Sequence, residues 1–281
     1  MIVFADMDGT FLNSKKEVTE ASWSMLDALA EHGFEFVPCT GRPLSGVFAP
    51  ILAHPAVHYV VTANGASVYQ LCDDDPSDAE RAERIYTKTL SRKVAHEVRR
   101  IARTHDVTFD IFADGACFLE HRMYERLDEF SGGDANIAAS LKRTRVPVDE
   151  DPDVTIDRVA NLERVALYWH NPIDRDEIAA GLESVDDIEI TRSYPMNIEV
   201  MGAGVSKGTA LTWLCDHLDT PIADSVGFGD NINDVSMIEL AGTGVAMCNG
   251  EPEDRAAADV ITDWDNDHDG VAKTVMGMLG A

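Results

Sequence analysis

The chain has few basic residues and no long apolar run, and both absences restrict its function. Its 281 residues include 23 Lys and Arg but 50 Asp and Glu, so the formal net charge is −27. Nucleic acid and anionic membranes repel such an acidic chain, which argues against either as a partner. No apolar run approaches the length of about 18 residues that suggests a membrane span, and no secretory signal precedes the first strand-like segment. We therefore expect a cytoplasmic protein.

Cysteine and aromatic residues are scarce as well. The five cysteines are odd in number, scattered and without a Cys-x-x-Cys pair. This pattern argues against a disulfide framework or a zinc site and suits a reducing compartment. Aromatic residues make up 7% of the chain, but 45% of all residues are hydrophobic. That content is enough to bury a sizeable core in about two domains.

The first strand-like segment carries the clearest signal for function. Ile2–Ala5 is mostly apolar and predicts a short buried strand that ends at two carboxylates, Asp6 and Asp8. Gly9 permits a tight turn after them, and Thr10 places a hydroxyl beside the acids. Two carboxylates this close stay ionised together only with a cation between them. The alternative, from these residues alone, is an ordinary polar turn after a strand.

Two later strands also end in polar residues. The predicted strand that ends at Cys39 is followed by Thr40, Gly41 and Arg42, and the one near 225–229 is followed by Asp230. The strand ends of one polarity share an edge in a parallel sheet, so we expect these segments to converge.

The converging residues suit a metal ion and a phosphate group. Asp6, Asp8 and Asp230 supply the oxygen ligands that Mg²⁺ prefers. Lys207 begins a predicted helix after the cap residue Ser206, and its ammonium would hold phosphoryl oxygens. The Thr40 hydroxyl and nearby backbone N–H groups would donate to the same oxygens. Each residue alone also fits an ordinary turn or surface helix.

The order of predicted elements divides the chain into a core domain and an insertion. Alternating strands and helices occupy residues 1–88 and return in residues 196–281, with Ile198-Glu199-Val200 as the first strand of the second part. Residues 89–195 have no polar strand end and predict a separate α+β domain.

The motif Asp6-Met7-Asp8-Gly9-Thr10 resembles the first motif, Asp-x-Asp-Gly-Thr, of the haloacid dehalogenase-like hydrolases. Three further motifs follow in order, at Thr40, Lys207 and Asp230, so the resemblance extends over most of the chain. Within this superfamily the chain most resembles the Cof-like phosphatases, which carry a type IIB cap between the second and third motifs. The resemblance implies an α/β fold with a doubly wound, mostly parallel Rossmann-like core and an inserted α+β cap domain.

The resemblance also implies a role for each site residue. Asp6 would be the nucleophile that forms an aspartyl-phosphate, while Asp8 would act as acid and base and contact Mg²⁺ through its backbone carbonyl. Asp230 would be a metal ligand, and Asp234 would lie near the lysine. The residues expected to contact phosphate are Thr10, Thr40, Gly41, Lys207 and Asn233, and Arg42 is a candidate contact to the substrate or cap.

We therefore predict a Mg²⁺-dependent phosphatase that acts on a small phosphorylated metabolite, which the family suggests is a sugar phosphate. We expect a monomer or homodimer. Two alternatives remain open: a phosphomutase with the same nucleophile, and a non-catalytic phosphate-binding or regulatory protein.

Overall fold

The structure is a computed structural model that describes residues 1–280. It divides into two compact units. The first unit comprises Met1–Gly41, Val47–Tyr86 and the chain from Ser206 onward, and the inserted unit comprises Arg42–Gly46 and Thr87–Val205. Among the described residues no helix is long and apolar enough to cross a membrane.

The strands of the described residues form three sheets. They are β1 (Ile2–Ala5), β2 (Glu35–Pro38), β3 (Tyr59–Thr62), β4 (Ser67–Gln70), β5 (Glu83–Thr87), β6 (Asp110–Ala113), β7 (Ala116–Glu120), β8 (Val146–Val148), β9 (Leu162–Tyr168), β10 (Ile188–Thr191), β11 (Asn197–Gly202), β12 (Ser225–Gly229), β13 (Thr243–Ala246) and β14 (Val260–Ile261). Their orders are β14-β13-β12-β1-β2, β3-β4-β5 and β10-β11-β9-β6-β7-β8.

The helices alternate with the strands of the first unit and cover the sheet of the inserted unit. They are α1 (Glu20–Glu31), α2 (Ala49–Leu52), α3 (Arg92–Ala102), α4 (His121–Tyr124), α5 (Ala135–Thr144), α6 (Pro152–Arg158), α7 (Pro172–Leu182), α8 (Lys207–His217), α9 (Val235–Leu240), α10 (Pro252–Ala257) and α11 (Gly270–Leu279).

The five-stranded sheet of the first unit is parallel throughout, and β1 lies inside it between β12 and β2. All four residues of β1 are buried, as expected for a parallel strand covered on both faces. Because side chains alternate along a strand, Ile2 and Phe4 share one face, where they join the apolar cluster that contains Leu211 and Leu214 of α8. This topology confirms the predicted α/β fold with a parallel core.

The sheet of the inserted unit is mostly antiparallel; only β7 and β8 pair in parallel. The side chains of its long strand β9 alternate between the two faces of the sheet and pack into a different apolar cluster on each face. Val165 and Leu167 join the cluster that includes Val98 of α3, whereas Ala166 and Tyr168 join the cluster on the other side. The inserted unit is therefore an α+β body with a core of its own.

The boundaries of the units differ from the sequence prediction. Strand β11 pairs with β9 and β10, and residues 196–205, which we assigned to the second core segment, belong to the inserted unit. The inserted unit also takes in Arg42–Gly46, which we assigned to the first core segment, and its main segment begins at Thr87 rather than at residue 89. A short apolar strand looks the same in sequence whichever sheet it joins, because its partners are chosen by tertiary contacts.

Candidate active site

The central strands of the parallel sheet bring three predicted segments to one edge. Asp6 directly follows β1, and its backbone N–H donates to Phe228 of β12 at 2.9 Å. On the other side, the N–H of Cys39 donates to Ala5 at 2.8 Å and leads the chain to Thr40. Since β12 ends at Gly229, Asp230 follows at the same edge. The parallel register therefore brings together acids that are 224 positions apart in sequence.

Lys207 is the buried cation of this edge. Ser206 caps α8 by accepting from the backbone N–H of Thr209, and Lys207 is the first helical residue. Its Nζ donates to Oδ1 of Asp6 at 2.5 Å and to Oδ1 of Asp234 at 2.6 Å, and its side chain is fully buried. Burial lowers the pKa of Lys207, but Asp234 and Asp6 outweigh that effect and raise it above its ordinary value. Lys207 is therefore a permanent positive charge.

The carboxylates outnumber this cation. Asp6, Asp230 and Asp234 each offer an oxygen, and these oxygens lie within 4.8 Å of one another. Burial raises the pKa of Asp6 to about 6 despite the opposing effect of Lys207, and the charge of Asp234 adds to the rise. Burial and the neighbouring Asp6 likewise raise the pKa of Asp230 well above its ordinary value. A crowded all-oxygen set of this kind fits a hard divalent cation.

The turn after β1 leaves room for Asp230 only because residue 9 is glycine. Gly9 has φ +95°, and a Cβ there would lie 2.4 Å from Oδ2 of Asp230. The adjacent Thr10 donates its hydroxyl to Oδ1 of Asp230 at 2.5 Å. We predicted that Thr10 would contact phosphate. In this structure its hydroxyl group instead binds Asp230, which we predicted as a metal ligand.

Asp234 organises the loop that carries Asp230. Its Oδ1 accepts from Lys207, while its Oδ2 accepts from the backbone N–H groups of Asp230 and Asn231, both at 3.1 Å. Gly229 makes this close return possible, because a Cβ there would lie 2.2 Å from Cβ of Asp234. The structure therefore places Asp234 beside the lysine and within the carboxylate cluster.

Two predicted site residues are held by other contacts. Asp8 is partly exposed, and its Oδ1 forms an ion pair with Lys16 at 2.7 Å. Arg42 lies in the inserted unit and donates to the carbonyl of Gly46 at 3.0 Å, whereas Gly41 lies in the first unit. The contact of Lys16 with Asp8 was not predicted, because the only signal for it is the position of Lys16 in the loop after the first motif.

Asn64 is a second residue that the sequence analysis missed. Its side-chain oxygen accepts from Nδ2 of Asn233 at 3.1 Å, and its backbone N–H donates to the carbonyl of Thr40 at 3.1 Å. It thereby connects two of the predicted phosphate contacts. The available signal was an Asn-Gly pair separated by one residue from the end of β3, close to a strand end as the site acids are.

Comparisons with known proteins show what the chain is similar to. A family model described as haloacid dehalogenase-like hydrolase matches residues 3–275. The phosphatase YwpJ of Bacillus subtilis (strain 168) is 27% identical, and the match covers 99% of both chains. The 5-amino-6-(5-phospho-D-ribitylamino)uracil phosphatase YcsE of the same organism is 25% identical over 98% of this chain and 94% of the relative.

A solved structure shows the same fold. The HAD subclass IIB sugar phosphatase BT4131 aligns with a TM-score of 0.80 over 99% of this chain and 98% of its own, at 20% sequence identity. The family model covers nearly the whole chain, including the segments that bear the carboxylates and the lysine. The chain therefore belongs to the family of haloacid dehalogenase-like hydrolases, and both the family and the phosphatase class predicted from its motifs are confirmed.

Proposed function

We propose that this phosphatase is a Mg²⁺-dependent phosphomonoester hydrolase that acts through an aspartyl-phosphate on a small phosphorylated metabolite, with a sugar phosphate as the first candidate. The observation that carries the proposal is the contact of 2.5 Å between Lys207 and Asp6 at the end of the central strand. This contact holds one carboxylate oxygen of Asp6 beside the positive charge of Lys207, which would also attract a phosphoryl group.

The first half of the reaction would transfer the phosphoryl group to Asp6. A carboxylate oxygen of Asp6 attacks phosphorus, the bond from phosphorus to the ester oxygen breaks, and Asp8 gives a proton to the departing alkoxide. Lys207 offsets the charge of the phosphoryl oxygens. Proton transfer of this kind typically contributes about 10²–10⁴-fold to the rate.

The second half would release phosphate and restore the enzyme. Asp8, now a carboxylate, removes a proton from water, which attacks phosphorus and displaces the Asp6 carboxylate. To follow this course Asp8 must exchange its contact with Lys16 for contacts with alcohol and water. The hydroxyl of Thr40, the N–H of Gly41 and the amide of Asn233 would hold the phosphoryl oxygens meanwhile.

The carboxylate cluster fits a divalent ion on the chemistry of its donors. A bound Mg²⁺ would be held by Asp6, Asp230 and the backbone carbonyl of Asp8, with Thr10 and Asp234 supporting them, and it would neutralise phosphoryl charge. Its removal should leave a cluster in which the carboxylates repel one another. Arg42 stays a proposed contact to the substrate or cap.

Two relatives support a small phosphorylated substrate without choosing one. YcsE is named for a phosphoribitylamino uracil and BT4131 for sugar phosphates, and both substrates are small phosphate esters. A cytoplasmic location and a monomeric or homodimeric state remain predictions.

Replacement of Asp6 by asparagine tests the nucleophile. Asp6→Asn should reduce Mg²⁺-dependent hydrolysis of p-nitrophenyl phosphate by at least about 10⁴-fold, since the amide cannot form the intermediate. The matched control is Asp224→Asn, which makes the same change at an exposed position of the first unit. Thermal unfolding should show that both variants are folded. Activity of Asp6→Asn near that of the control would refute the proposal.

A phosphate-release screen over sugar phosphates, nucleotides and cofactor phosphates would then define the substrate. Turnover that requires a bisphosphate activator and releases no phosphate would instead assign a phosphomutase.

A further inference from the structure

The bend that follows β3 has an unusual backbone. Ala63, Asn64 and Gly65 are three consecutive residues with positive φ, at 49°, 58° and 93°. L-amino acids rarely adopt this conformation, and two of the three have a Cβ. Strained backbone of this kind persists where the surrounding structure holds it, and it is concentrated at functional sites. We call this segment the Ala63–Gly65 bend.

The Ala63–Gly65 bend contacts all three segments that carry the proposed phosphate ligands. The N–H of Asn64 donates to the carbonyl of Thr40 at 3.1 Å. A Cβ on Gly65 would lie 2.1 Å from the carbonyl oxygen of Ser206, so the bend meets the start of α8 through its backbone. The third contact, at 3.1 Å, joins the side chains of Asn64 and Asn233.

The side-chain contact controls how Asn233 is oriented. Asn64 is 2% exposed and Asn233 is 8% exposed, so water has little access to their amides. Among the described residues the Oδ1 atom of Asn233 is buried without a hydrogen-bond donor. The bond from its Nδ2 to Asn64 is therefore the polar contact that sets the rotation of the Asn233 amide. Asn64 makes this contact from a left-handed backbone, with φ 58°.

We propose that Asn64 is a positioning residue for the phosphate end of the substrate: it orients the amide of Asn233 and anchors the backbone of Thr40. This inference rests on the proposed function, in which Asn233 and Thr40 contact the phosphoryl oxygens. Asn64 itself acts through these two residues. Its loss should therefore weaken binding of phosphate more than it weakens the fold.

The test uses inorganic phosphate as the probe in the presence of Mg²⁺, with its dissociation constant measured by calorimetry. Asn64→Gly removes the amide and keeps access to positive φ. We expect a loss of affinity of about tenfold, the size of one hydrogen bond, and a similar rise of KM for p-nitrophenyl phosphate. The matched control is Asp219→Gly, which makes the same backbone change at another left-handed position of the first unit, φ 50°, and should bind like wild type.

A double-mutant cycle separates positioning from general loosening. In the Asn233→Ala background, Asn64→Gly should weaken phosphate binding much less than it does in wild type, because its principal target is absent. Asn64→Ala removes the same amide without added backbone freedom and should match Asn64→Gly. Wild-type affinity in the single variants, or a full additional loss in the Asn233→Ala background, would overturn the inference.

The outcomes also separate this inference from the proposed function. Phosphate binding by wild type without hydrolysis of any phosphate ester would refute the function, while the cycle would still decide the role of Asn64. Normal hydrolysis with unchanged KM and phosphate affinity in Asn64→Gly would refute the positioning role alone. Absence of phosphate binding by wild type at high Mg²⁺, together with absence of hydrolysis of any phosphate ester, would overturn both.

Discussion

The two units bury their charges in different ways. In the inserted unit, Arg145 pairs with Asp110 at 2.8 Å and Arg164 pairs with Glu199 at 2.8 Å. Each of these arginines thus lies against a buried carboxylate, and the guanidinium carbon of Arg164 also lies 3.7 Å from the centre of the Phe112 ring. Buried ion pairs between an arginine and a carboxylate, with an aromatic ring beside the guanidinium, need no ligand to offset their charges, and they indicate a structural role.

The first unit collects an excess of negative charge instead. Lys207 is shared by Asp6 and Asp234, and Asp230 lies in the same cluster. Burial with too few cations raises the pKa of Asp6 to about 6. The difference teaches that three carboxylates gathered around one lysine, rather than the mere presence of buried charge, mark the candidate site.

The largest expected effect comes from removal of the central cation of each arrangement. Lys207→Met and Arg145→Met should each lower the free energy of unfolding by about 3–5 kcal/mol, because each leaves buried carboxylates without a partner. Only Lys207→Met should also abolish hydrolysis, by at least about 10³-fold. Urea unfolding and p-nitrophenyl phosphate assays measure the two effects. Equal hydrolytic activity in Lys207→Met and Arg145→Met would contradict the distinction between a catalytic lysine and a structural arginine.

The second largest effect is expected at Asp254, a buried acid of the first unit. Asp254 of α10 is fully buried, and both of its carboxylate oxygens lack a hydrogen-bond donor among the described residues. Burial, with added repulsion from Asp234, raises its pKa to about 7. Because the folded state holds this proton more tightly than the unfolded state does, stability is lost as pH rises from about 4 to 7, by on the order of 4 kcal/mol.

Asp254→Asn should remove that pH dependence. The difference in free energy of unfolding between the variant and wild type should grow in favour of the variant from pH 4 to pH 8, as urea titrations at several pH values would show. The matched control is Asp263→Asn, an exposed acid of the same unit, which should leave the pH profile unchanged. Parallel profiles for Asp254→Asn and wild type would contradict the assignment.

The smallest expected effect is that of the metal ion on stability. Mg²⁺ at about 100 times its dissociation constant should stabilise wild type by about 2.7 kcal/mol. Asp230→Asn should lose this response and, in EDTA, unfold at a higher temperature than wild type, because it removes one of the mutually repelling carboxylates. Asp110→Asn, a change in a paired carboxylate of the inserted unit, should retain the response. A Mg²⁺ response that survives in Asp230→Asn would place the ion elsewhere.

Much of the site could be predicted because its residues follow strands. An apolar segment that ends at Asp6, and another that precedes Asp230, are visible in sequence, and parallel strands bring such ends to one edge. The parallel pairing of β1 with β12 brings the ends of these two strands together, as expected. The fold class followed from the same alternation of strands and helices.

Other features could not be predicted, for identifiable reasons. Strand β11 looks like a core strand because both sheets bury apolar strands of similar length, and only its hydrogen bonds to β9 assign it to the inserted unit. Asn64 looks like a turn residue until its contact with Asn233, 169 positions away, is known. The bare carboxylate of Asp254 resembles any acid in a first helical turn, since burial leaves no mark on a residue's identity.

The amino-acid sequence by itself determined which groups are available and where along each strand or helix they stand, because periodicity, turn residues and motifs are local properties of the chain. Only the tertiary structure decided which of these groups share space, which carboxylates lack a cation and which strand joins which sheet. These are properties of distance and burial, and they arise when segments far apart in the chain pack together and exclude water.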